Sequence, residues 1–165
     1  MDINQMSLKL EDTNDAFTKK TCIHGAIRSV GFDKLIPLEE FTDVSNGFLV
    51  DDTCVFGAEV FVCKERRTGK WQCLTRVKGA PVYRYVCKVE KISKLGAEVC
   101  RSEPFSAGGC NWKIKLYPDG NGQAKGSHVS LFLECVGSEV LVEFKLGILD
   151  QIHQKRHHES RTGKD

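Results

Sequence analysis

The chain reads as all-β, built from short antiparallel strands. Three observations carry this reading: a hairpin over residues 112–133, a period-two apolar run from Cys54 to Val62, and a similar run from Val140 to Ile148. In the hairpin, Trp112, Ile114 and Leu116 alternate with Lys113, Lys115 and Tyr117, so one face is apolar and the other polar. Pro118-Asp119-Gly120 supplies the turn, proline fixing φ and glycine accepting the positive φ that ends the strand. Val129, Leu131 and Leu133 form the buried row of the returning strand, which leaves Phe132 on the polar face. A large aromatic there either packs under a loop or lines a binding surface. Cys54, Phe56, Ala58, Val60 and Val62 share one parity, which makes Cys54 a small core residue. Phe144 shares the parity of Val140, Val142, Leu146 and Ile148, and so has a core reading.

With 165 residues the chain is long enough for one good core and too short for a sandwich plus a separate catalytic domain. The net charge of +2 selects no partner class. Basic residues cluster between Lys64 and Lys91 and from Lys155 to Lys164, without the interleaved aromatics of an RNA-binding motif, so they read as solvated linker and tail rather than a nucleic-acid surface. No apolar run approaches the ~20 residues of a membrane span, and residues 1–20 are too polar for a signal peptide. The expectation is a protein of the cytosol or nucleus with no membrane partner.

Eight cysteines stand at positions 22, 54, 63, 73, 87, 100, 110 and 135 with no C-x-x-C pair. A structural zinc site brings its ligands in close pairs, and reducing compartments keep thiols free, so neither a metal nor a disulfide framework is expected. Cys22 with His24, and His153, His157 and His158 in the tail, are the remaining pairs to weigh, and they read as packed or solvated side chains. No activated nucleophile is recognisable beside a base. Residues 118–122 lack the Lys-Ser/Thr of a phosphate loop, and no cofactor is expected.

The run from Trp112 through Gly120, followed by Ser127-His128-Val129-Ser130-Leu131-Phe132-Leu133, resembles the signature of the meprin and TRAF homology (MATH) domain, in the form of its land-plant members. Flanking segments agree in order. Residues 83–95 look like the opening strand, residues 103–109 like its partner, and residues 140–151 like the fifth strand. The N-terminal part resembles the end of the same domain: residues 31–41 look like a late strand and turn, and residues 45–62 like the last strands. The end of a sandwich thus precedes the beginning of one, as in a tandem pair cut at both ends. Two full copies would each take ~100 residues or more. The expected division is 1–21 a flexible N-terminus, 22–63 C-terminal strands, 64–82 a basic linker, 83–151 N-terminal strands, and 152–165 a charged tail.

The resemblance implies a TRAF-like antiparallel β-sandwich that binds short extended peptide segments, in ubiquitin-linked or trafficking assemblies and without catalysis. Carried over by position, the groove wall falls on Phe132, Phe144 and Phe32, with Ser130 sharing the surface of Phe132 because residues two apart point the same way. Phe32, like Phe144, also has a core reading. The chain departs from the family at Val30, Cys22, Cys87 and Ile92, where aromatics are usual. Losing an aromatic of that size from a core costs about 2–5 kcal/mol without repacking. The alternative function is therefore a truncated relative with no selective ligand, acting through self-association.

The two segments together hold one complete set of strands and can pair as a single composite, circularly permuted sandwich. The linker reaches up to ~55 Å, against ~20 Å for a strand. Each half alone would expose sheet edges. Two unfinished halves, or exchange between chains, are the competing outcomes.

Overall fold

The computed structural model describes residues 19–23, 27–63, 81–137, 140–153 and 157–159. The rest of the N-terminal extension, linker and tail, including Cys73 and His24, lies outside the described residues. Eleven strands are described: β1 (Lys19–Ile23), β2 (Ser29–Pro37), β3 (Leu49–Val50), β4 (Thr53–Cys63), β5 (Tyr83–Glu90), β6 (Cys100–Arg101), β7 (Phe105–Ala107), β8 (Cys110–Tyr117), β9 (His128–Val136), β10 (Val140–Leu149) and β11 (His157–Glu159). They form two antiparallel sheets with two short helices, α1 (Leu38–Thr42) and α2 (Ile92–Leu95).

The first sheet is organised around β4. It pairs with β5 from Thr53 to Val60 and with β10 from Phe56 to Cys63. Because these stretches overlap, β5 and β10 must lie on opposite sides of β4. The far edge of β10 carries β1 along residues 140–144 and β11 along residues 147–149. The tail thus contributes a strand, and β1 starts within the stretch read as N-terminal extension. In the second sheet β9 lies between β2 and β8, and β6 and β7 follow one another along the outer edge of β8. Strands from 19–63 therefore interleave with strands from 83–149 in the first sheet and add the edge strand β2 to the second, within one chain.

The facing rows make the core. Cys54, Phe56, Ala58 and Val60 of β4 and Val142, Phe144, Leu146 and Ile148 of β10 are buried against Trp112, Ile114 and Leu116 of β8 and Val129, Leu131 and Leu133 of β9. The alternation read from the sequence is the alternation that packs. The Trp112 indole N–H donates to the Ala107 carbonyl at 3.0 Å, so its one polar atom is satisfied inside the core. Val30 and Ile92, which stand where aromatics were expected, are buried in the same core.

Polar contacts stitch the two segments at one end of the sandwich. Asp51 and Asp52 hold positive φ values of 49° and 58° in the two-residue turn joining β3 to β4, a conformation aspartate tolerates better than most residues. The Asp52 carboxylate then accepts from the Ser93 amide (2.8 Å) and hydroxyl (2.6 Å), capping α2, and these bonds hold its carboxyl below the usual range. Gln151 donates through its amide side chain to the Phe48 and Thr53 carbonyls. Beside it, buried Asp150 accepts from the Ile152 and His153 amides and from His153 Nδ1. Burial works to raise the Asp150 pKa, but the bonds from His153 and Ile152 outweigh it and the net shift is downward.

This predicts an acid dependence of definite sign. A carboxyl whose folded pKa lies below its unfolded value of 3.8 stabilises the fold above that value, and the contribution is lost as pH falls through the folded value. The melting temperature is expected to hold from neutral pH to about 5 and to drop below about 4. Asp150→Asn should flatten that drop. An identical acid profile in wild type and variant would remove Asp150 as its source.

Candidate functional site

The second sheet turns its outer face to solvent, and register fixes what lies there. Gly31 of β2, Phe132 of β9, Lys115 of β8 and Arg101 of β6 stand side by side in one row. Ser29, Glu134 and Lys113 form the next row. Continuing that register sets Ile27 opposite Val136, two apolar side chains that are 46% and 50% exposed.

Phe132 is half-buried and packs edge-on against Tyr117, ring centroids 5.8 Å apart at 84°. Gly31 lies under it because nothing larger fits. A Cβ at Gly31 would overlap the Leu131 carbonyl oxygen and come within 2.6 Å of the Phe132 Cα. Lys115 and Glu134 form an ion pair at 2.7 Å on the same face, with side chains only 15% and 25% exposed.

Ser130 is not on this surface. The β2–β9 register shifts between Phe32 and Ile36, so residues 33–35 stand opposite Ser130 alone. The Ser130 hydroxyl donates to the Asp33 carbonyl that the bulge leaves without a ladder partner, and it accepts from the Asn121 amide at 2.9 Å. Its burial is complete.

Phe144 and Phe32 are also away from the outer face. Phe144 is 1% exposed in the inward row of β10, and Phe32, paired with inward Leu131, is 9% exposed. Their rings meet between the sheets at 6.2 Å. The structure thus brings Phe32 and Phe144 together in the core and keeps Phe132 on the other side of the second sheet. Phe32 still contributes to one wall of an open depression of about 430 Å³ between residues 31–34 of β2 and residues 122–124. That depression adjoins β2, which among the described residues pairs only with β9, while β1 and β11 of the first sheet come close to it.

Cys22, Cys54, Cys87, Cys100, Cys110 and Cys135 form no disulfide. Burial pushes the Cys54 thiol up to about 12 and Cys135 up to about 11, and it also raises Cys87 and Cys100. A protonated, desolvated thiol is a poor nucleophile and a poor ligand. Among the described residues no group of three or more His, Cys, Asp or Glu is placed to hold a metal, and no helix is long and apolar enough to cross a membrane.

Comparison with known proteins agrees with the strand signature. Residues 84–165 match the family model of the MATH domain. BTB/POZ and MATH domain-containing protein 5 of Arabidopsis thaliana is 41% identical over 59 residues, which is 34% of this chain and 14% of that protein. A MATH domain and coiled-coil domain-containing protein of the same plant is 31% identical over 74 residues, covering 41% and 24% of the two chains. The human E3 ubiquitin-protein ligase TRIM37 is 45% identical over 38 residues, 23% of this chain and 4% of that one. The matches span a quarter or less of these relatives. No solved structure matches at comparable significance.

Proposed function

We propose that the whole described sandwich is a MATH domain assembled from two segments in permuted order, and that it acts as a non-enzymatic module binding short extended peptides of partner proteins. The match of residues 84–165 supports the family, and the names of relatives, a BTB/POZ and MATH domain-containing protein and an E3 ubiquitin-protein ligase, support a place in ubiquitin-pathway assemblies. One observation carries the binding reading. Half-buried Phe132 stands on the outer face beside β2, whose outer edge has no strand partner among the described residues. An extended segment adding to such an edge gains backbone hydrogen bonds of any sequence, while the adjoining face selects its side chains.

Phe132→Ala tests this directly. On an outer face the ring contributes little to the core, so the expected stability loss is under about 1 kcal/mol, below the 3–5 kcal/mol of a core aromatic. Capture from a displayed library of extended peptides should weaken by about 2 kcal/mol, the effect of losing an anchor. A core-sized stability loss with unchanged capture would contradict the assignment. A sound fold that captures nothing in either form would favour the module without a selective ligand, acting through self-association.

A further inference from the structure

The outer face of the second sheet is electrically lopsided. Its strand residues include Arg101, Lys113 and Lys115 against Glu134 alone. Glu134 is taken by Lys115 in the 2.7 Å pair. Arg101 and Lys113 have no ion-pair partner among the described residues. Arg101 stands opposite Lys115 and diagonal to Lys113, a relation that sets side chains about 7 Å apart and lets one carboxylate reach both. Beyond these rows exposed Asp33 and Lys34 stand side by side in the bulge, Asp119 and Lys125 lie in the β8–β9 connection, and exposed Glu103 follows Arg101 in the β6–β7 connection. Within the strand rows the surplus of positive charge therefore sits at Arg101 and Lys113, on the β8 side of Phe132.

We propose that the segment taken by this face is acidic, with an apolar side chain against Phe132 and Tyr117 and one or more carboxylates seated on Arg101 and Lys113. The proposal rests on the peptide-binding reading and adds the partner's chemistry. Complementary charge chooses partners and orients them more than it adds affinity, and like charge brought to the same place is rejected. A nucleic-acid strand is the other polyanion such a face could meet. Phe132 set edge-on to Tyr117 offers no flat platform on which bases stack, which disfavours it.

The test uses the full chain and three labelled probes read by fluorescence anisotropy. Two are pools of synthetic nine-residue peptides with a fixed central Phe, flanked by Glu in one pool and Lys in the other. The third is a single-stranded oligonucleotide of nine bases. The glutamate pool is expected to bind about tenfold tighter than the lysine pool at low salt, with the gap closing as salt shortens the reach of exposed charges. R101E/K113E should invert the preference and R101Q/K113Q abolish it, both with an unchanged melt, while Phe132→Ala weakens both pools alike. Equal binding of the pools, with no response to either double variant, would overturn the acidic choice and leave peptide docking standing. No binding of either pool, with Phe132→Ala without effect, would overturn both. Tighter binding of the oligonucleotide than of the glutamate pool would overturn the proposal in favour of nucleic acid.

Discussion

A chain lacking residues 1–63 is expected to lose its cooperative melt altogether. The missing piece contains β4, through which β5 joins the first sheet and against which β10 pairs over eight residues. Without it β5 has no strand neighbour among the described residues, and β10 keeps only β11. The second sheet loses β2 and exposes the edge of β9. Phe56, Val60 and Phe32 leave the core, uncovering Phe144 and the row of Leu131 and Leu133. Loss of one buried aromatic costs about 3–5 kcal/mol, while a domain's whole stability is about 5–15 kcal/mol. The remnant should show a broad, non-cooperative thermal profile by circular dichroism and aggregate through its bare edges. A sharp melt from this 64–165 chain as a monomer would show that the C-terminal segment folds by itself.

Gly31→Ala should be the most damaging of the small substitutions at the candidate site. The added methyl would meet the Leu131 carbonyl and the Phe132 Cα, both backbone atoms of β9. That strand cannot move aside, because its other edge is held by β8 from Asn111 to Tyr117. So β2 must withdraw, loosening the pairs Val30–Leu133 and Phe32–Leu131 that seat two core side chains. Overpacking of this kind costs about 1–3 kcal/mol, which for a domain of this size lowers the melting temperature by roughly 3–10 °C. Peptide capture should fall further than in Phe132→Ala, since the docking edge itself is displaced. A melt and capture equal to wild type would mean that β2 does not approach β9 as closely as the glycine implies.

The strands that were legible in the sequence are those whose side chains alternate against a deep core. Trp112, Ile114 and Leu116 pack where their parity puts them, and Phe132 stays out for the same reason. Parity also gave Phe144 its core reading, in competition with the groove role implied by resemblance, and the packing follows parity. Ser130 was misplaced because alternation assumes one residue facing one residue. Opposite Ser130 there are three, and a bulge has no signature in the alternation of its partner strand. The His-His-Glu strand β11 carries no apolar pattern, and it forms on the backbone edge that β10 offers beyond β1. The Lys115–Glu134 pair, and an Arg101 and Lys113 without ion-pair partners among the described residues, were out of reach for another reason. Their neighbourhood is set by cross-strand register, which local sequence does not fix. The interleaving of the two segments rests on the same long-range pairing, and only the surplus of unpaired edges in each half hinted at it.

Hydrogen exchange of the intact chain, read by mass spectrometry, tests that interleaving most directly. If β4 is the strand joining β5 to β10, amides of Thr53–Val62 and of Val140–Leu149 should open together, with one free energy that equals the global stability. Full protection of residues 83–149 beside fast exchange through 53–62 would contradict the account, because it would make the C-terminal segment a sheet system complete without its partner.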